Sequence, residues 1–168
     1  MPVVLARIDD RLIHGQVSVG WSRKLQPDRI VLCCDEIAAD SWQSRVYATC
    51  APPGTSVSVM DRAATVAAFN DGTSCFGPDE RIILLTADPK DMADLRRRGL
   101  ELSNVNVGGM HYAKGKVEIL EYVWLNREDI AGLRYLLSAG TRVTAQAVPG
   151  DREIHFDDDY LDTVDGRL

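Results

Sequence analysis

The stretch "RIILLTADPKDMADLRRRG", Arg81–Gly99, contains one complete strand-to-helix unit. "RIILLT" is apolar at nearly every position, as a strand is when both sides of its sheet are covered. Asp88 before Pro89 marks a helix start, because an aspartate side chain accepts free N–H groups and proline has none to satisfy. Gly99 fits the left-handed helix stop. The same rhythm runs along the whole chain, with further strands expected at "VVLARI", "RIVLCC", "SVSVM", "NVNV", "VEILEYV" and "RVTAQAV". Helices are expected at Gly15–Leu25, Ala39–Cys50, Arg62–Phe69, Pro89–Arg98 and Arg127–Ser138. Asn126 with Asp129 has the form of a capping box, and Gly140 closes that helix.

Apolar strands alternating with helices imply an α/β fold: one open, doubly wound, mainly parallel β-sheet with helices on both faces. Residues 1–168 fit a single domain with a substantial core. Ligand sites in such sheets lie beyond the C-terminal ends of the strands. "DDRLIH", "DEIAAD", "TADPKD" and "GGMHY" follow the first, second, fourth and fifth strands, so all four are candidate walls of one site. The acidic C-terminal segment, 151–168, reads either as a docked terminal element or as a mobile tail.

Composition narrows the function. A net charge of -6 and a pI near 5.0 argue against nucleic acid, whose backbone demands an uncompensated basic surface. "LRRRG" sits beside Asp91 and Asp94 and reads as a solvated helix face. No apolar run approaches a bilayer span, and the first residues lack the character of a signal peptide, so the expectation is a soluble, cytoplasmic protein. Cys33, Cys34, Cys50 and Cys75 have no CxxC spacing and read as buried, reduced thiols.

The densest chemistry lies in "RIDDRLIHGQV", Arg7–Val17. His14 falls where the connection after the first strand turns into a helix, near Gly15. A helix N-terminus there would favour a bound anion. Arg7 and Arg11 supply forked donors suited to phosphate oxygens. A carboxylate from Asp9 or Asp10 could hold one imidazole nitrogen as N–H and leave the other as a nucleophile. These parts together describe a histidine able to accept a phosphoryl group. The plainer readings are a surface histidine and a structural Arg7–Asp pair. One Asp-Asp pair is too few ligands for a divalent metal, so none is expected. "GGMHY" has no dinucleotide-binding fingerprint. Trp21 shares a core-like spacing with Ile13, Val17 and Leu25 and reads as buried, although Leu12, Ile13 and Trp21 also flank the loop as candidate partner contacts.

"RIDDRLIHGQVSVGW", "VLCCDEIAAD", "VNVGGM" and "VTAQAVP" together resemble the IIB component of the mannose, fructose and sorbose family of the bacterial phosphoenolpyruvate-dependent sugar phosphotransferase system (PTS). The resemblance runs from the first strand to about Pro149. It implies an open, mainly parallel sheet and a phosphoryl relay from the IIA component, through His14, to a sugar entering by the membrane subunits IIC and IID. His14 matches the phosphorylated histidine, with Nδ1 as the implied phosphorus acceptor. Arg11 matches the arginine contacting phosphoryl oxygens. Asp10 and Gln16 match the signature as loop-orienting and capping or binding residues, and Arg7 as loop support or direct contact. Asp35 aligns with an acidic position that buttresses the loop or positions the transferred group, and Gly108 and Gly109 would allow close backbone approach. His111 and His155 match no catalytic position. The resemblance implies no cofactor, places the chain in the cytoplasm at the periphery of a permease, and leaves room for a homo-oligomer. A regulatory phosphocarrier without a sugar permease, and a hydrolase passing through phosphohistidine, are the other classes that fit these residues.

Overall fold

Residues 3–70 and 76–168 are described in the structure, a computed structural model. The strands are β1 (Val3–Ile8), β2 (Arg29–Cys33), β3 (Ser56–Met60), β4 (Ile82–Thr86), β5 (Asn104–Val107), β6 (Val117–Leu120), β7 (Val123–Leu125), β8 (Arg142–Ala145) and β9 (Ile154–Phe156). Among the described residues, seven of them form one sheet in the order β3-β2-β4-β1-β5-β8-β9. Every neighbouring pair is parallel except β8 with β9.

Helices cover both faces. The first helix opens as a π-helical segment, Gln16–Trp21, and continues as α1 (Ser22–Leu25). It is followed by α2 (Asp35–Ala39), α3 (Ser41–Thr49), α4 (Arg62–Asn70), α5 (Pro89–Arg97), α6 (Arg127–Ser138) and α7 (Asp158–Asp165). On one face Ile8, Leu84, Val105 and Val143 pack with Met92 of α5, Leu133 of α6 and Leu161 of α7. On the other, Ile30, Leu32, Ile83 and Leu85 pack with Val17, Trp21 and Ile37. The alternation of sheet residues between these two clusters is the period-2 geometry of a strand covered on both sides.

The expected caps form. Asp88 accepts from the Asp91 N–H with Pro89 in the first turn, and Asn126 and Asp129 make the reciprocal capping box. Gly99 (φ 95°) and Gly140 (φ 82°) take left-handed conformations beyond their helices.

Three segments depart from expectation, and a fourth resolves between the two readings given for it. "VEILEYV" is not one strand of the main sheet; it folds at Glu121 and Tyr122 into the β6–β7 hairpin, a separate two-stranded sheet. The helix expected over Ala39–Cys50 begins earlier and breaks at Asp40, whose side chain accepts from the Trp42 and Gln43 N–H groups and so starts a new helix. "RVTAQAV" stops pairing at Ala145, because the Gln146 and Ala147 carbonyls turn to accept from Arg7. The acidic C-terminal segment is docked: β9 pairs with β8, and α7 buries Leu161 and Val164. Cys33 and Cys34 are buried as expected, Cys50 is exposed at the end of α3, and Cys75 lies outside the described residues. Burial pushes the Cys33 thiol up to about 12, which keeps it protonated and inert.

The topology itself selects a site. From β1 the chain crosses to β2 on one side of the sheet, whereas from β5 it proceeds toward β8 on the other. β1 and β5 are adjacent, so their departing loops diverge and open a crevice at their C-terminal ends, the place where such sheets bind ligands. The two loops are Asp9–Gly15 and Gly108–His111.

Candidate functional site

Arg7 lies on β1 in register with Asn106 of β5 and is completely buried. A guanidinium without water needs acceptors for its fork, and four are supplied. Nη1 donates to the Asn106 side chain and, at 2.9 Å, to the Gln146 carbonyl; Nη2 donates to Asp9 Oδ2 at 2.8 Å and to the Ala147 carbonyl at 3.0 Å. Trp21 stacks beneath it, its ring centroid 5.3 Å from Cζ. Burial pulls the Arg7 guanidinium down from its ordinary value, against the opposing pull of Asp9.

Asp9 is the hub of the loop. Its carboxylate is fully buried and also accepts from Arg11, whose backbone N–H and Nε lie 3.3 and 3.2 Å from Oδ1 and whose Nη2 lies 3.4 Å from Oδ2. Burial acts to raise the carboxyl, but Arg7, the Gly109 N–H and Arg11 together hold it below the ordinary range. Arg11 reaches onward to Gln16 Oε1.

His14 stands at the edge of this frame with 18% of its side chain exposed. Nε2 is 3.4 Å from Gln16 Oε1 and 3.8 Å from Asp9 Oδ2. Nδ1 is 2.8 Å from the Leu12 carbonyl oxygen, an acceptor only, so Nδ1 carries a proton in this contact. Leu12 presents that carbonyl from a left-handed conformation (φ 57°), while its side chain is buried. The Ser18 N–H and Oγ return to the His14 carbonyl at 2.8 and 2.7 Å, and Ser22 Oγ reaches back five residues to Val17. These contacts accompany the wide first turn and keep His14 just outside it. No side chain caps that turn.

The second loop closes over the first. Gly108 N–H donates to the Ile8 carbonyl and Asp10 N–H to the Gly109 carbonyl. A Cβ on Gly108 would sit 2.1 Å from Arg7 Nη2, and one on Gly109 would sit 2.8 Å from Arg11 Nε. A cavity of about 280 Å³ lined by Trp21, Asn106 and Gln146 adjoins the Arg7 cage and not His14. His14 stands outside that cavity, at the partly exposed rim of the loop.

Residues 3–163 match the family described as "PTS system sorbose subfamily IIB component". The chain belongs to that family. It is 34% identical over 151 residues to the sorbose-specific EIIB component of Lacticaseibacillus casei, covering 90% of each chain. It is also 34% identical over 158 residues to the mannose-specific EIIAB component of Escherichia coli K12, covering 94% of this chain and 48% of that one. The crystal structure of the IIBSor domain of the Klebsiella pneumoniae sorbose permease superposes with a TM-score of 0.87 at 32% identity, covering 100% of this chain and 99% of that one. Its fold is therefore that of the PTS IIB phosphotransferase components, as the strand-and-helix rhythm implies.

Within this IIB chain the crevice gathers Arg7, Asp9, Asp10, Arg11, His14, Gln16, Gly108 and Gly109. Asp35 does not join them. Both of its oxygens take Arg62, through the backbone N–H at 2.8 Å, Nε at 2.9 Å and Nη2 at 2.6 Å, and that bonding draws its carboxyl down. Asp9, and not Asp10, faces the imidazole. Gly108 and Gly109 admit the IIB chain's own guanidinium groups. Leu12, Ile13 and Trp21 are buried and form core, so they are not partner contacts. The implied acceptor Nδ1 is engaged by the Leu12 carbonyl. His155 lies on β9 beside Arg142, at 3.0 Å. Sequence reading assigned no role to Asn106 or to the Gln146 and Ala147 carbonyls, although "VNVGGM" and "VTAQAVP" contain them, because their service to Arg7 appears only once β5 lies beside β1 and β8 beside β5. It also missed the bond from His111 to Asp10.

Proposed function

We propose that His14 accepts a phosphoryl group from the histidine of a IIA component and donates it to a sugar during PTS uptake. The observation that carries this reading is the position of His14 on the rim of the β1–β5 crevice, with its ring against the frame made by Asp9, Arg11 and Gln16. In the first step the N–P bond of the donor breaks as one forms to an unprotonated nitrogen of His14. Little covalent assistance is needed; alignment and screening of the phosphoryl oxygens dominate. Arg11, with its fork partly exposed, supplies the screening, while Arg7 and Asp9 hold the loop rigid. In the conformation seen, Nε2 is turned toward Gln16 and Asp9. Transfer through Nδ1 requires the ring to leave the Leu12 carbonyl.

Partner assignments follow from the relatives. An E. coli relative is named as an EIIAB component, a fused arrangement that supports IIA as the donor. Relatives named for sorbose, mannose and N-acetylgalactosamine align at 34, 34 and 31% identity, so the common fold serves different sugars. The acceptor is accordingly a sugar delivered through IIC and IID, with this chain docking at the membrane from the cytoplasmic side. Among the described residues no helix is long and apolar enough to cross a membrane. A hydrolytic outcome is disfavoured because the carboxylate nearest His14, Asp9, is closed by two arginines and has no freedom to activate water.

The test is intact-mass measurement after incubation with phosphoenolpyruvate, enzyme I, HPr and the cognate IIA. Wild type should gain one acid-labile phosphoryl group and His14→Ala none, with ³¹P–¹⁵N coupling identifying the ring nitrogen. A wild-type chain left unmodified beside phosphorylated IIA refutes the reading.

A further inference from the structure

Asp10 is an awkward residue to find at a phosphoryl-accepting rim. Around His14 the frame contains the buried Arg7 and Asp9 and the partly exposed Arg11, which sum to one positive charge available to a phosphoryl dianion. Asp10, 29% exposed and adjacent to Arg11 in the chain, would cancel it. The structure shows where its carboxylate is directed instead. Oδ2 accepts from the His111 backbone N–H at 2.6 Å, and Oδ1 is 2.6 Å from His111 Nδ1, which carries a proton in that contact. The Asp10 N–H completes the clasp by donating to the Gly109 carbonyl at 2.8 Å. Both carboxylate oxygens are thus held by residue 111, and neither hydrogen-bonds to Arg11 or His14.

We propose that His111 is a positioning residue for phosphoryl transfer: it holds Asp10 against the Gly108–His111 loop, so that the part of the Arg11 guanidinium not taken by Asp9 and Gln16 stays available to the incoming phosphoryl oxygens. The inference rests on the His14 relay reading. Its logic is competition. A carboxylate released next to Arg11 can take the donors that Asp9 leaves open and a phosphoryl group would use, and it is present at all times. A charge-assisted bond at a partly exposed site also responds to ionic strength, so the effect of losing His111 should depend on salt. The His111 side chain is 60% exposed, so its removal should cost little packing.

The experiment is rapid-quench measurement of transfer from ³²P-labelled phospho-IIA to the full chain at low salt and at about 0.5 M salt, where charge interactions reach only a few ångströms. It compares wild type, His111→Ala, Asp10→Asn and the double variant, and records melting temperature alongside. His111→Ala should slow transfer about three- to ten-fold at low salt, the size expected of one unscreened charge near a surface site. The deficit should shrink at high salt, with the melting temperature unchanged. Asp10→Asn keeps a carbonyl acceptor for the residue 111 N–H but removes the charge, so adding it to His111→Ala should restore most of the lost rate. His111→Ala at the wild-type rate overturns the proposal. So does a slowing that is insensitive to salt and not relieved by Asp10→Asn, which marks a purely structural role. A wild-type chain that takes no phosphoryl group overturns the relay and this proposal together, whereas normal wild-type transfer with either of the other results overturns this proposal alone.

Discussion

Gly108→Ala probes the frame that holds His14. An added Cβ would lie 2.1 Å from Arg7 Nη2, 2.2 Å from Arg7 Cζ and 2.5 Å from Asp9 Oδ2, all far inside contact distance. Neither side chain can swing to solvent: both are fully buried, and Arg7 is held by Asn106 and the Gln146 and Ala147 carbonyls. The backbone cannot retreat cheaply either, since Gly108 N–H is bonded to the Ile8 carbonyl at 2.7 Å. Overpacking alone costs about 1–3 kcal/mol. Parting a buried ion pair costs about 3–5 kcal/mol, and because the two effects share one displacement the expected total is about 3–5 kcal/mol. At about 2–4 °C per kcal/mol for a chain of this size, the melting temperature should fall by about 6–20 °C. Gly109→Ala is the internal control. Its Cβ meets Arg11 at 2.8 Å, but Arg11 is partly exposed and can move, so stability should change by no more than about 1 kcal/mol. Phosphoryl acceptance should nevertheless drop several-fold, because Arg11 is pushed off Asp9. Urea titration and thermal circular dichroism, with intact-mass phosphorylation in parallel, separate the two. A Gly108→Ala variant with wild-type midpoints and normal phosphorylation would refute the argument that the Gly108 approach holds the Arg7–Asp9 pair together.

Other perturbations have equally definite outcomes. Arg11→Lys removes the fork that joins Asp9 to Gln16, so transfer should slow by about ten-fold, while the melting temperature moves by no more than about 2 °C; an unchanged rate counts against Arg11 as the screening group. Asp91 is pushed up to about 6 by burial and by Asp88, with Arg62 opposing. Its folded value exceeds the unfolded one, so the stability it contributes is present below about pH 4 and is lost as pH rises through about 6. Asp91→Asn should therefore flatten that decline and raise stability at pH 7 by about 1–3 kcal/mol, read from urea midpoints between pH 4 and about 7; a variant less stable than wild type at pH 7 shows that Arg62 outweighs burial. Asp9 runs the opposite way: its lowered carboxyl contributes above the ordinary carboxylate range and is lost only as pH falls through its folded value, so wild type should lose more stability than Asp9→Asn on acidification. Leu161→Ala, at a fully buried position of α7, should cost about 2–5 kcal/mol; no change in the unfolding midpoint would mean that α7 adds nothing to the fold.

The sequence alone determined the parts whose physics is local. The apolar run "RIILLT" became β4, Asp88 with Pro89 became a helix start, and Asn126 with Asp129 became a capping box, because covered strands and helix ends depend on residues a few positions apart. "RIDDRLIHGQV" likewise marked the candidate site, since its charges crowd around one histidine within a single loop. What only the tertiary structure decided involves partners far along the chain. Asn106 and the Gln146 and Ala147 carbonyls stand 99, 139 and 140 residues from Arg7, and a guanidinium excluded from water requires such acceptors without dictating which residues provide them. Strand order placed β5 against β1, which brought His111 to Asp10 across 101 residues. It also left Asp9 as the carboxylate facing the imidazole and gave Asp35 to Arg62. The period of a sequence shows which face a residue takes, but not which neighbour meets it there; that is settled when the strands pack and buried charges find their acceptors.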